Sequence, residues 1–375
     1  MKKSLSLVLC LCCLLFLAAC QGQHDDRAAQ IRLNIQTYAA GQNQPTHPSV
    51  LAFDQPWHGY RFWLAYTPFP YADGEEENPC LAASNDLYYW ETPPGLANPI
   101  AFNEETGCSE LKDVNLLYRE DLDRLEMWYL GRLSPDLGGD GETLLLLRKC
   151  SADGIKWSDY EVMAPTQYLC PTIVWEDGIY RMWQMQYEQL GNGGTLVYQE
   201  SADGSNWSDI QKCTITGMDH GIKLWHGAVR HMNGRYYFVF IRDYLQSDAI
   251  YCCTSDDGLN FDLPLVIVGP DSAWYSYYRP DVVKVDGHYY LFYGVITHQQ
   301  ERYLAMSHGD RLVTMEGTKK EEREKMLPLP DDAGYGYSPA AAIRTLWTRL
   351  SLYLHWRMAA LLCLAAAVAG LLLRR

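Results

Sequence analysis

The sequence predicts an all-β fold: a five-bladed β-propeller of four-stranded antiparallel blades, with a short C-terminal hydrophobic helix. Three observations predict it. The first is a line that returns along the chain, as Ser151-Ala-Asp-Gly-Ile-Lys-Trp157, Ser201-Ala-Asp-Gly-Ser-Asn-Trp207 and Ser84-Asn-Asp-Leu-Tyr-Tyr-Trp90. A fourth copy, Ser255-Asp-Asp-Gly-Leu-Asn-Phe261, ends on phenylalanine. Asp accepts hydrogen bonds from amides just ahead of it, Gly supplies positive φ, and the aromatic buries against a neighbouring unit. That is hairpin-turn chemistry, so the repeat is a small antiparallel sheet.

The second observation is a turn residue followed by a strand rich in aromatics, which raises the repeat count to five. It occurs as Gly59-Tyr-Arg-Phe-Trp-Leu-Ala-Tyr66, Arg124-Leu-Glu-Met-Trp-Tyr129, Gly178-Ile-Tyr-Arg-Met-Trp183, Gly234-Arg-Tyr-Tyr-Phe-Val-Phe240 and Gly287-His-Tyr-Tyr-Leu-Phe-Tyr293. The third lies about ten residues earlier in each unit: His47-Pro-Ser-Val50, Asp113-Val-Asn-Leu116, Cys170-Pro-Thr-Ile173, His226-Gly-Ala-Val229 and Arg279-Pro-Asp-Val282. The step of roughly 54 to 66 residues holds four strands with loops, and radial repetition of such sheets makes a propeller. The same internal order kept five times over assigns the first of these segments to the innermost strand of each blade.

The ends of the chain carry envelope signals. Residues 1–19 read as a signal peptide, with Met1-Lys-Lys3 ahead of an apolar run. The run ends in Leu17-Ala-Ala-Cys20, which resembles the bacterial lipobox and marks Cys20 for lipidation. Residues 20–46 form a polar linker with one candidate strand between Ile31 and Tyr38; 47–310 is the propeller; 311–345 is a second linker with a charge run over Thr318 to Lys325. Residues 346–375 hold a hydrophobic, candidate transmembrane segment. Its uncharged stretch from Met358 to Leu373 is short against the ~20 residues of a spanning helix, and arginines flank it. Both ends place the domain on a bacterial envelope membrane, facing periplasm or exterior, and they disagree on which membrane.

A net charge of −15 argues against nucleic acid as a partner, because no basic patch could release counterions from phosphates. Seven cysteines fall in the central part, an odd number, so at least one thiol stays unpaired. Cys80 and Cys108 are placed to close a loop after the first blade, while adjacent Cys252 and Cys253 alternate between core and surface.

In a propeller the starts of the inner strands converge on one end of the central channel. Here they bring His47, Asp113, Cys170, His226 and Asp281, with Arg279 beside it. The combination resembles the five-bladed superfamily of arabinanases, levansucrases and invertases, which includes glycoside hydrolase families 43 and 32. The resemblance covers roughly residues 45–310 and rests on repeat architecture. It implies two carboxylates astride a glycosidic bond, one protonating the leaving oxygen and one activating water or attacking the sugar. The sequence departs from the family at those positions: His47-Pro48 stands where Asp-Pro is expected, and Trp225-His226-Gly227 where Glu-Gly-Pro is. Asp113 is the one inner-strand acid in a family-like place. Glu77, in Glu-Asn-Pro79, is the best substitute acid, with Glu188 and Asp281 as the other candidates.

The expected catalytic set is therefore Asp113, Glu77 and Asp281, with His47, His226, Arg279, Trp274 and Tyr278 binding substrate. No cofactor or metal ligand set is assigned, although an axial divalent cation such as calcium is compatible with N and O donors at His47, His226, Asp113 and Asp281. Aromatic loops, Trp57-His-Gly-Tyr60, Tyr66-Thr-Pro-Phe-Pro-Tyr71 and Trp274-Tyr-Ser-Tyr-Tyr-Arg279, supply platforms for sugar faces, so a polysaccharide or oligosaccharide is the expected partner. Two functions fit: an envelope-anchored glycan-active enzyme of glycosidase type, or a non-catalytic carbohydrate-binding or polysaccharide-assembly propeller that kept the fold and lost the acid–base pair.

Overall fold

The computed structural model describes residues 31–38, 43–135, 143–187, 194–217, 224–242, 247, 249–269 and 274–312. The signal peptide with Cys20, nearly all of the second linker, Glu188 and the C-terminal apolar segment lie outside them. Among the described residues no helix is long and apolar enough to cross a membrane.

Five antiparallel blades follow one another in chain order; a Gly194–Leu224 pair joins blades three and four into one sheet, and Thr214–Ile215 pairs in parallel with Asn260–Phe261. Blade one contains Pro45–Trp57, Tyr60–Pro68 and Cys80–Ser84, with a bridge from Ala83 to Glu91 in place of a fourth strand. Blade two holds Cys108–Arg119, Arg124–Leu133, Leu144–Ser151 and Glu161–Thr166. Blade three holds Leu169–Glu176, Ile179–Tyr187, Gly194–Ser201 and the short Gln211–Lys212. Blade four is Leu224–Met232, Arg235–Arg242, Ile250–Ser255 and Leu265–Val268. Blade five is Ser276–Val285, His288–Ile296 and Arg302–Gly309, completed by Ile31–Arg32 from the other end of the chain. Ile31 pairs with Met306 and Arg32 with Ala305. Pairing the first strand with the last blade closes the ring and leaves fewer strand edges open.

The repeated turn works as its residues dictate. In blade two Ser151 Oγ accepts the Gly154 N–H at 2.8 Å, and Asp153 Oδ1 accepts those of Ile155 and Lys156 at 2.8 and 2.7 Å. Gly154 has φ +74°, and a Cβ there would stand 2.4 Å from Trp63 Cη2 of blade one. The glycine is thus both the turn residue and the seat for the aromatic of the preceding blade. The same fit recurs one blade on, with Trp128 over Gly204. Where the ring closes, the turn carries Leu87 at φ 71° and the facing aromatic is the smaller Phe292, 6.0 Å from Trp90 between ring centroids. Trp63, Trp128, Trp183 and Phe292 are all fully buried. Each adds a few kcal/mol of apolar burial to a blade seam.

Two cysteine expectations are corrected. All seven described cysteines are free thiols, so Cys80 and Cys108 do not close a loop. Cys252 and Cys253 do point to opposite faces, but both are buried: Cys252 in the core between blades four and five, Cys253 in that between three and four. In a propeller both faces of a blade are covered, so strand alternation does not bring a residue to solvent.

Candidate functional site

Every inner strand carries a β-bulge near its start, and the residues expected at the channel mouth sit in those bulges. In blade one Thr46 pairs with Thr67 but Ser49 with Ala65, so His47-Pro48 contributes one residue too many. The same irregularity frames Asp113, Cys170, His226 and Arg279. Proline follows three of these five residues, at 48, 171 and 280, and its missing N–H suits a position where the ladder is broken. His47, Asp113 and Cys170 have φ of 51°, 55° and 55°. Left-handed backbone at non-glycine residues costs about 1–3 kcal/mol each and is retained where the surroundings enforce it. The bulge and the turned backbone together re-aim the side chain toward the axis.

What converges is a compact buried cluster. His47 Nε2 lies 3.7 Å from Asp113 Oδ1, and His226 Nδ1 lies 3.7 Å from the same oxygen. One ligand atom from each of the three residues falls within 4.8 Å of the others. Arg279 Nη1 donates to Asp113 Oδ1 at 3.3 Å, while Asp113 Oδ2 accepts the Cys170 N–H at 3.0 Å. The Tyr278 ring packs 5.1 Å from His47 and 4.6 Å from His226.

Glu77 sits behind this cluster. Its Oε1 is 2.8 Å from His47 Nδ1, and the Thr67 hydroxyl donates to that oxygen at 3.3 Å. With its proton so committed, the Thr67 oxygen, 2.9 Å from Nδ1, accepts from it. His47 Nε2 is buried with no hydrogen-bond partner; it is an acceptor in the tautomer whose Nδ1–H meets Thr67 Oγ1 and Glu77 Oε1. On the other imidazole, Cys170 Sγ lies 2.6 Å from His226 Nδ1. Burial holds the Cys170 thiol well above its ordinary range, so the S–H donates to that nitrogen.

Electrostatics follow from burial among cations. Burial pushes His47 down to about 3 and holds His226 well below the ordinary imidazole value, so both rings are neutral. Burial alone would raise the Asp113 carboxyl; with both imidazoles neutral, the Arg279 and Lys112 cations are what hold it below the carboxylate range. Glu77 is raised well above the carboxylate range by burial, helped by the negative charge of Asp113. Two neutral imidazoles and one carboxylate facing one point form an N/O donor set for a divalent cation. The orphaned Nε2 of His47 is the observation that fits this best, because an unpartnered buried nitrogen is costly unless something occupies it.

The structure divides the residues expected from sequence. It brings together Asp113, His47, His226, Arg279, Tyr278 and, one layer out, Glu77. Asp281 is not part of the cluster: its two oxygens accept from Arg230 Nε at 2.7 Å and Nη2 at 2.5 Å, and from the Val50 and Val282 amides. That carboxylate ties blades five, four and one together. Nor do Glu77 and Asp113 face each other across a cleft. They face opposite nitrogens of one imidazole, so the His47 ring stands between them. Trp274 lies edge-on to Tyr303 in the core of blades four and five, and Trp57 to Tyr60 form the hairpin at the far end of blade one's inner strand. Thr67, Lys112 and Cys170 complete the surroundings. Thr67 stands in an aromatic loop already singled out, and Cys170 in the repeat register, so both were within reach of the sequence.

No family model matches the chain. An A type blood N-acetyl-α-D-galactosamine deacetylase of Flavonifractor plautii is 27% identical over 369 residues, covering 79% of this chain and 47% of that protein. The chain thus spans about half the length of this curated relative. The crystal structure of an N-acetylgalactosamine deacetylase from F. plautii, in complex with blood group B trisaccharide, superposes with a TM-score of 0.66 at 21% identity. The match covers 81% of this chain and 98% of that one. A family 43 glycoside hydrolase from Xanthomonas citri superposes with a TM-score of 0.54 at 11% identity, over 72% of this chain and 89% of that one. The chain thus shares its fold with these enzymes, a family 43 glycoside hydrolase among them.

Proposed function

We propose that this protein is a divalent-metal-dependent hydrolase that removes N-acetyl groups from amino sugars of a glycan. The observation that carries the reading is the buried cluster of His47 Nε2, Asp113 Oδ1 and His226 Nδ1, with Nε2 unpartnered. The 27% identical relative, a deacetylase by name, favours the amide over the glycosidic bond as the target. So does the placement of the His47 ring between Glu77 and Asp113.

Bound there, a divalent cation would polarise the acetamide carbonyl and lower the pKa of water. The chain's own residues do the rest. His47 and Asp113 present Nε2 and Oδ1 from strained, bulged backbone, so their directions are set before binding. Glu77 and Thr67 hold the His47 proton on Nδ1, which keeps Nε2 free to bind a cation. His226 offers Nδ1 once the Cys170 S–H turns away. Arg279 neutralises part of the Asp113 charge, and Tyr278 shields both imidazoles from bulk water. Water adds to the acetamide, the C–N bond breaks, and acetate and a free amino sugar leave.

The test is to incubate the protein with N-acetylgalactosamine-terminated A type blood-group oligosaccharide and with N-acetylglucosamine oligosaccharides, and to assay acetate and new reducing ends separately. We expect acetate, its loss on chelation, its return with added Mn²⁺, Co²⁺ or Zn²⁺, and at least about a hundredfold less in Asp113→Asn. Reducing ends without acetate would sink the deacetylase reading and restore the glycosidase one. Tight glycan binding with no product of either kind would favour the non-catalytic propeller.

The Cys20 lipobox and the apolar run from Met358 to Leu373 support a place of action at a bacterial envelope membrane. Loss of radiolabelled palmitate from Cys20→Ala would support lipidation; unlabelled wild-type protein would refute it.

A further inference from the structure

A second concave site lies on the seam between blades two and three. It is a cleft of about 870 Å³, in the size range of ligand pockets. The side chains that matter are Thr166, Gln167 and Tyr168 from the loop into blade three, Gln184 and Gln199 from its middle strands, and Trp207 from its repeated turn. None of the described residues lining it is charged. The cleft runs along the seam from the repeated turn at Ser205 and Trp207 to the loop at Thr166–Tyr168.

Trp207 breaks the repeat in its hydrogen bonding. In the equivalent turns the indole N–H donates to the turn's own carbonyl: Trp90 to Leu87 O at 2.8 Å, Trp157 to Gly154 O at 3.3 Å. Trp207 Nε1 is buried and has no partner. Its ring lies edge-on to the buried Trp128, 6.4 Å between centroids, so packing fixes the indole while the N–H goes unmet. Around it stand side-chain amides, each with donor and acceptor atoms, and hydroxyls that do both. Gln184 Nε2 donates to Thr166 Oγ1 at 3.3 Å and Gln199 Nε2 to the Ser208 carbonyl at 2.7 Å, so these amides are held in place.

This chemistry selects a ligand class. An anion would find no cation, and an apolar ligand would strand the amides and the indole N–H. A neutral polyhydroxylated chain matches both the aromatic edge and the mixed donors and acceptors. We propose that this cleft is a second, non-catalytic binding site for a neutral oligosaccharide, gripping a stretch of glycan away from the axial cluster. It stands independently of the reaction assigned to that cluster.

The test follows the indole N–H directly. In protein labelled with ¹⁵N-tryptophan, the Trp207 Nε1–H cross-peak is assigned by its loss in Trp207→Phe, which keeps the ring packing. Chitohexaose, arabinohexaose and xylohexaose are titrated, with oligogalacturonate as the anionic control. At least one neutral probe should shift that peak, the anionic probe should not, and affinity should fall about tenfold in Trp207→Phe and in Gln167→Ala/Gln199→Ala. The double variant keeps the test valid should the tryptophan change unfold the seam. Acetate release from a monosaccharide substrate should be unchanged in both variants. The proposal is overturned if no neutral probe moves the Trp207 peak up to about 10 mM, or if both variants bind as wild type does.

Discussion

The two ends of this propeller treat the same repeat in opposite ways. At the far end, three Ser-x-Asp-Gly turns and the Ser84-Asn-Asp-Leu87 turn keep one geometry, down to a serine Oγ accepting the N–H three residues on at 2.8 to 3.0 Å. At the channel mouth the five bulges keep their backbone irregularity but carry His47, Asp113, Cys170, His226 and Arg279. Where side chains pack blade against blade, the seam admits little variation, because a Cβ or a methylene there meets a neighbour's ring. Where they point into the channel, only the backbone device is fixed and the chemistry is free to change. The scaffold is therefore read from what repeats, and the site from what does not.

The two inner-strand aspartates are the sharpest way to break that contrast. Asp281 belongs to the scaffold and Asp113 to the site, although both are almost wholly buried. Asp281→Asn would leave the Arg230 guanidinium buried without its counter-charge, a loss of about 3–5 kcal/mol. Chemical denaturation should show that loss, while Co²⁺ binding to the protein that remains folded stays near wild type. If Asp281→Asn folds with wild-type stability and fails to bind cation, the two carboxylates have been assigned the wrong way round.

Next in size is the turn itself. Gly154→Ala places a methyl 2.4 Å from the Trp63 ring at a positive φ, so both strain and overpacking act. The cost should be about 2–4 kcal/mol, read by thermal or urea unfolding. Activity at a temperature where the variant is folded should be unchanged, because the turn lies at the opposite end of the blade from the cluster. A stability change below about 0.5 kcal/mol would mean that the turn is not the seat of the blade seam.

Much of this was legible in the chain, for a physical reason that also marks where legibility stops. Turn glycines, aromatic strands and bulge prolines are local signals, repeated often enough to fix blade count, strand order and the identity of the inner strands. Placing His47, Asp113 and His226 at one mouth needed only that register. Their joint role did not follow, because it depends on which atom of each side chain faces the axis. Glu77 shows the gap. Its position after an aromatic strand suggested an acid facing the axis, whereas it binds the back of His47, a contact made across a loop. Asp281 shows it again: two residues past a bulge it faces Arg230 and Val50, in the channel wall. Arg279 followed from the inner-strand register and Tyr278 from the aromatic run beside it; Trp274, in the same run, packs against the core instead.

Glu77 also gives a smaller and more specific test of the layering around the site. If it acts only through His47, Glu77→Gln should weaken Co²⁺ affinity by between about tenfold and a hundredfold without changing how many cations bind. Calorimetric titration measures both. Loss of all binding, as expected for Asp113→Asn, would make Glu77 a direct ligand and contradict its place behind the ring.

The smallest effect is the dependence of metal-free stability on pH, and its sign separates the histidines from the glutamate. An unfolded histidine takes up a proton near pH 6.5, whereas folded His47 resists protonation down to about 3. Between those values the unfolded state binds the extra proton, so stability is complete above the upper value and is lost as pH falls through the window. His226, also held low by burial, adds to the same slope. Glu77 acts in the other direction. Its raised folded value lets the native state keep a proton that the unfolded chain releases, which costs stability as pH rises through that value. Urea unfolding of the metal-free protein at about pH 7 and about pH 5 should therefore show lower stability at the lower pH. The difference should shrink in His47→Gln and grow in Glu77→Gln. An unchanged difference in His47→Gln would mean that the ring is protonated in the folded state, and a protonated ring could not offer Nε2 to a cation.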